Sequence, residues 1–512
     1  MATPHAVRAG AAASVWLMAP LALLLALAVA RSGGVFYSLD DPYIHLTLAR
    51  NLWHGNYGIN FDEPSAPSSS IVWPLLLAPF SALPGFEYLP LFINAICLFF
   101  TARVLLGHFG ALFGRWRGFA LTLALLFAFN FYGVALTGME HSLQLLLVAL
   151  IATRLMQRRL DTIFFTALAL LPWVRYEGAA IALPLLVWAF IDGRRRPALI
   201  AAGVMLAGLV AFSLFLHDEG LGWLPSSVLA KTGGSLGGGG DAASPLAAIG
   251  ANLMRNLVEW HMALALLLAL TAAALVWRDG ERAFALLALV APALLHMLFG
   301  RNGWFGRYEL YFLLYVAVVF IGVMHGRRWL RGWRAAVLAL VAALSCKPLI
   351  GATLNTPLAT KNIRDQQQQM AVIVSRYLDE PVAVNDLGLV SFRSRQPVLD
   401  LWGLGSAEAL RLRLNDPRGA WIAPLMARED VHLALIYDEL FPQRPASWIA
   451  VARLMLNDKC ITPLSPRVAL YATDEAAAER LRIALLRYQA GEGRRGASIE
   501  FAAPEPALAA QR

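Results

Sequence analysis

From residue 12 to residue 350 the chain repeats apolar runs of near membrane-crossing length, and this repetition constrains the fold more than any other feature. About 17–25 apolar residues cross the hydrocarbon core of a bilayer as a helix. Backbone polar groups cannot go unpaired in lipid, so such runs fold as helices. They fall at 12–30, 71–84, 88–107, 118–136, 141–153, 160–174, 178–192, 198–216, 257–277, 283–299, 308–325 and 334–350. Composition agrees: the chain is 58% hydrophobic and 15% charged, against about 45–50% and about 25% for a soluble domain.

The formal net charge of +9 is distributed as short basic clusters between the apolar runs. Arg115 with Arg117, Arg154 with Arg158 and Arg159, Arg194 to Arg196, Arg278 with Arg282, and Arg327, Arg328, Arg331 and Arg334 are each two runs apart. That spacing is the positive-inside signature rather than a nucleic-acid stripe, and it puts all five clusters on the cytoplasmic side. No nucleic-acid partner is expected. The loops at 31–70, 137–141, 174–178, 217–256 and 300–307, and everything after residue 350, then face outward. The 71–84 run breaks the alternation, which predicts a half-helix or interfacial helix there and about 11 spans, with 12 as the alternative. The first run lacks a cleavage site of small residues and reads as a retained helix. The three cysteines, Cys97, Cys346 and Cys460, show no metal spacing and no disulfide pairing.

The fold class is therefore mainly α: a polytopic membrane helical bundle over 1–350, with its first outer loop at 31–70. A small extracytoplasmic α/β domain is expected over 351–490. Val382 to Asn385, Pro397 to Leu401, Leu433 to Tyr437 and Val468 to Ala472 read as strands; Glu408 to Leu414 and Glu475 to Tyr488 read as helices. The tail 491–512 is rich in Ala, Arg and Pro and reads as disordered. Gly233 to Gly240 reads as a flexible linker, and no Gly-rich phosphate loop is present.

The first outer loop carries the chemistry. Asp40 and Asp41 follow the first apolar run almost directly. Paired carboxylates at a membrane surface serve as a general base or bind a divalent cation, and their repulsion raises the pKa of one. The plainer alternative is that Asp40 caps a helix from Pro42 to Trp53, with proline at its first position. His45 lies one turn beyond Asp41 on the same face; a packing histidine is the alternative. Glu140 and His141, Arg175 and Glu177, Lys231, and Arg307 and Tyr308 sit at outward helix ends. Charges at membrane depth mark a substrate path or a paired network, or else snorkel to the interface. Their recurrence predicts a polar cavity, with acids for sugar hydroxyls and bases for a phosphate.

These residues also resemble a known pattern. Asp40-Asp41-Pro42-Tyr43, then Leu48-Ala49-Arg50-Asn51-Leu52 with Gly55, then Ser68-Ser69-Ser70 with Trp73-Pro74 resemble the first loop of the GT-C superfamily of glycosyltransferases, especially the bacterial branch similar to mycobacterial arabinofuranosyltransferases. Thr137-Gly138-Met139-Glu140, Arg175-Tyr176-Glu177-Gly178, Leu224-Pro225-Ser226-Ser227 with Ala230-Lys231, and Arg307-Tyr308 continue the likeness in order. So do Asn385-Asp386 with Gly388, and Asp400-Leu401 with Gly403-Leu404. Tyr176 replaces a proline and Ser226 an asparagine of the pattern, and His45 is a further departure.

The resemblance implies a GT-C-like bundle in the bacterial cytoplasmic membrane. Its donor would be a polyprenyl-phosphate sugar and its acceptor a glycan, lipid or protein on the outer face. It implies Asp40 or Asp41 as base or metal ligand, and Lys231, Arg307 and Arg175 on the donor phosphate. His45, Glu140, Glu177 and Tyr308 would contact sugar or acceptor. Inverting transfer itself needs a base for the acceptor proton and cations for the leaving phosphate. The rivals are a transporter or flippase of a lipid-linked or anionic substrate, and a non-catalytic sensor or assembly subunit. Internal repeats, the mark of many transporters, are not seen.

Overall fold

The computed structural model describes residues 13–230, 245–327, 332–491 and 496–502. Lys231, the Gly233 to Gly240 stretch, Arg328, Arg331 and the tail after 502 lie outside the described residues. The chain divides into two compact units: Met1–Val35, Ser69–Trp223 and Gly234–Pro357 in the first, and Phe36–Ser68, Leu224–Gly233 and Leu358–Arg512 in the second.

The first unit is a bundle of apolar helices. Among the described residues five are long and apolar enough to cross a membrane: Ala13–Ser32, Phe86–Phe113, Arg195–Asp218, Trp260–Arg278 and Arg282–Phe299. The bent pair Trp333–Ser345 and Lys347–Leu378 makes up to six. The expected count of about 11 spans is therefore not supported, because an apolar run is not always one long helix. His141–Met156, Thr162–Val174, Tyr176–Ile191 and Leu310–Met324 are shorter. At about 1.5 Å per residue they fall short of the ~30 Å hydrocarbon core. The 118–136 run breaks at Asn130, whose φ of 57° ends one helix at Ala128 and starts the next at Phe131. The 71–84 run forms only a six-residue helix, Val72–Leu77, and a 3-10 turn.

Burial sorts these helices by role. His141–Met156 is buried on most sides, as a central helix must be, whereas the long Arg195–Asp218 buries only Ala198, Ala201, Met205 and Leu216. Helices Leu89–Phe113 and Arg115–Ala128 form a hairpin in which a Cβ on Gly118 would strike the Gly110 backbone. Small residues permit that close approach. Arg158 pairs with Glu281, and Arg327 with Asp279 at 2.5 Å. Three of the basic clusters thus meet at one end of this unit. Helices His141–Met156 and Thr162–Val174 run between that end and the opposite one, where Glu140 and Arg175 lie.

The second unit is a mixed six-stranded sheet in the order β2-β1-β3-β5-β4-β6. The strands are β1 Val382–Val384, β2 Val398–Asp400, β3 Leu433–Ile436, β4 Ile449–Leu456, β5 Arg467–Ala472 and β6 Ala497–Phe501. β2, β1 and β3 are parallel, with Val382 beside Val398 and Leu433; β5, β4 and β6 are antiparallel. β1, β2 and β3 are buried at every position, as parallel strands covered on both faces are. Trp421, Ile422, Leu425 and Met426 pack with Leu399, Ala434 and Tyr471 in the core. The four expected strands are present; β4 and β6 were not foreseen. β6 corrects the expected disordered tail, because Ser498 to Glu500 pair with β4 at Arg453 to Met455.

The segment Phe36–Ser68 belongs to this second unit. Its helix Asp41–Trp53 packs on the helix Gly388–Arg393. Asn60 clamps the sheet edge, accepting from Val398 N at 2.9 Å and donating to Val398 O at 3.1 Å.

Candidate functional site

In the second unit β1 lies between β2 and β3, so successive parallel connections leave it in opposite directions. A crevice outside the carboxyl ends of strands at such a switch point is the usual ligand site of an open α/β sheet. Asp386 follows β1 and Tyr437 follows β3, and they meet there at 2.8 Å. Gln367 donates to the same Asp386 oxygen at 2.7 Å. The Tyr437 hydroxyl also lies 2.7 Å from Gln366 Oε1. A phenol has one hydrogen, so its hydroxyl is shared between the Asp386 and Gln366 oxygens.

Asp40 and Asp41 join this crevice at the start of helix Asp41–Trp53. Asp40 makes no side-chain cap of that helix, which corrects the capping alternative. Its carboxylate instead accepts from Gly388 N at 2.6 Å and Leu389 N at 2.8 Å, one amide per oxygen. A Cβ on Gly388 would collide with Asp40, so only glycine permits the clamp. Asp40 is buried, and its pKa is pushed well up, first by burial and next by the charge of Asp386; the two amides offset part of this. The expected mutual repulsion of Asp40 and Asp41 is real but the smallest contribution. Burial also raises Asp386, with a further push from Asp41. Three carboxyl groups therefore crowd one crevice, where Asp40 and Asp386 hold a proton more tightly than isolated aspartates.

His45 is buried on the same helix. Asp400, at the end of β2, accepts from Trp402 N and Gly405 N, each at 2.8 Å, and burial pushes its pKa to about 6. Each Asp40 oxygen already accepts one backbone amide. Among the described residues no group of three or more His, Cys, Asp or Glu is arranged to hold a metal ion.

In the first unit a second polar cluster forms. Arg175 lies in extended backbone where helix Thr162–Val174 ends, at φ −156°. Its guanidinium pairs with Glu140 at 2.6 Å and Glu177 at 2.9 Å; Arg175 is 2% and Glu140 0% exposed. A charge this deep is tolerable only when paired. The Arg175 and Arg307 guanidinium groups both lie over the Tyr308 ring, at 5.3 and 5.0 Å, and Arg307 donates to the Tyr308 hydroxyl at 3.1 Å. The His141 ring stands 6.3 Å from Tyr308.

Five sequence-proposed residues thus come together in the first unit: Glu140, Arg175, Glu177, Arg307 and Tyr308. Asp40, Asp41 and His45 come together in the second. Sequence reasoning gave no site role to Asp386, Gln367 or Tyr437. The one available signal was an Asn-Asp-x-Gly turn after a strand.

The first unit also holds a cavity of about 920 Å³, walled by Leu264, Leu268, Phe320 and Leu338. His261 is at its margin, with Nε2 3.4 Å from Glu309.

A family model described as a domain of unknown function, DUF8728, matches residues 361–471. No curated protein and no solved structure matches the chain. The matched segment holds β1, β2, β3 and β4, and with them Asp386, Asp400 and Tyr437.

Proposed function

We propose that the chain is a GT-C-type membrane glycosyltransferase of the bacterial cytoplasmic membrane. It moves a sugar from a polyprenyl-phosphate carrier to a glycan, lipid or protein acceptor on the outer face. Asp41 is its general base. The observation that carries this reading is the carboxyl cluster at the switch point. Asp40 is spent on backbone amides, Asp386 is bound by Gln367 and Tyr437, and half-buried Asp41 sits beside both. A carboxylate set beside two buried acids is placed to take up a hydroxyl proton.

In the transfer, Asp41 takes the acceptor hydroxyl proton as the oxygen attacks the anomeric carbon. The bond from that carbon to the phosphate oxygen breaks, and the lipid phosphate leaves with its electron pair. Arg307, with Lys231, balances the leaving charge. Arg175 is already matched by two carboxylates, so its part is to hold Glu140 and Glu177 for sugar hydroxyls. The apolar cavity of about 920 Å³ suits an isoprenoid chain.

One observation favours the transporter alternative: a π-helical stretch, Ala285–Val290, interrupts a span-length helix, and broken helices recur in transporters. Purified protein in liposomes, offered a panel of radiolabelled polyprenyl-phosphate sugars and a crude envelope acceptor fraction, separates the two. Transfer of label with release of lipid phosphate supports the enzyme. Movement of intact lipid-linked sugar across the bilayer without bond cleavage rejects it.

A further inference from the structure

The second unit holds another cavity, polar and about 570 Å³ in volume, that the proposed reaction does not use. One wall is a face of helix Gln367–Val372 and its continuation Ile373–Leu378, where Gln368, Ser375 and Arg376 recur at helical spacing. The opposite wall is Arg393 and Arg395. Between them Ser394 leaves the preceding helix in extended conformation, φ −69° and ψ 149°, and residues two apart in extended chain project to one side. The Ser394 hydroxyl fixes this turn, donating to Gln396 O at 2.9 Å and accepting from Gln396 N at 3.1 Å.

Three guanidinium groups therefore line one cavity with a single carboxylate, Asp379. The adjacent Glu380 is taken by Arg480, at 3.0 and 3.3 Å. A fourth guanidinium adjoins: Arg50 and Arg393 both lie over the Phe392 ring, at 5.3 and 5.4 Å. Guanidinium forks match the oxygen pairs of phosphate. We propose that this cavity is a binding site for a phosphate group, carried by a soluble phosphate compound or by an anionic lipid. It lies wholly within the segment matched by the domain of unknown function, and it stands independently of the glycosyltransferase reading.

The test uses the full chain in nanodiscs. In one arm inorganic pyrophosphate is titrated by calorimetry into discs of neutral phosphatidylcholine. In the other, native mass spectrometry compares retention of phosphatidylglycerol with that of phosphatidylcholine. The site variant is Arg376→Gln/Arg393→Gln/Arg395→Gln. The charge control is Arg411→Gln/Arg418→Gln/Arg482→Gln, which alters exposed arginines elsewhere in the same unit. All six arginines are on the surface, so both variants keep the wild-type melting temperature. We expect saturable binding in at least one arm, weakened about tenfold or more in the site variant, since hydrogen bonds to charged groups are lost there, and unchanged in the control. The arm that responds names the source of the phosphate. No binding in either arm, or equal loss in both variants, overturns the proposal.

Discussion

Asp40 and Asp41 are neighbours in sequence with different work to do. Asp40 gives both oxygens to backbone amides, while the charge of Asp41 acts on Asp386. The raised proton affinity of Asp40 and Asp386 has a signed consequence for stability. The folded state binds protons more tightly than the unfolded chain. Their contribution is therefore full below about pH 3.9, the unfolded value, and is lost as pH rises through the raised folded values. Asp386→Asn keeps an acceptor for Gln367 and Tyr437 but removes one repelling charge. We expect it to gain about 1 kcal/mol at neutral pH and to flatten the pH dependence; thermal melts between pH 4 and 8 would show this, and an unchanged slope would contradict it. At the other cluster, Glu140→Gln weakens a buried charge-assisted bond to Arg175. Because Glu177 remains paired, the expected loss is about 2 kcal/mol rather than the larger cost of a wholly unpaired charge. A detergent melting curve with no decrease would argue against the pairing.

At the scale of elements, the contact between helix Asp41–Trp53 and helix Gly388–Arg393 positions the acids. Gly388→Ala pushes against Asp40 and separates the two helices. The expected result is a destabilisation of about 1–3 kcal/mol, the usual cost of forcing atoms into a packed contact, with most of the turnover lost. Measuring melting temperature and rate together would settle it; a variant with wild-type values in both would dismiss the clamp. This contact joins positions 348 residues apart, and no local pattern encodes it. The strands β1, β2, β3 and β5 were legible because each is a short β-branched or apolar run bounded by turn residues. β4 was not, since a register shift between Ala450 and Ala452 breaks its alternation. β6 was hidden by the polar, Ala-rich segment around it. The membrane runs were legible as helices but not as spans, because run length does not report where Asn130 or Pro-containing turns cut a helix.

At the scale of the whole molecule, the chain gives an early loop to its C-terminal unit, so that one unit combines residues 36–68 with residues after 358. A division at residue 350, natural from composition, misses this exchange. It also explains why an acid pair near the N-terminus gains its neighbours from a domain matched only at 361–471. The central claim is that Asp41 is the base of a glycosyl transfer. Its most direct test is the rate of sugar transfer from a polyprenyl-phosphate donor by Asp41→Asn, alongside Asp40→Asn and the wild type, from pH 5 to pH 9. The account predicts that Asp41→Asn melts like the wild type but turns over about 100- to 10,000-fold more slowly. The wild-type rate should fall on acidification as the cluster takes up its proton. Wild-type turnover by Asp41→Asn would contradict it.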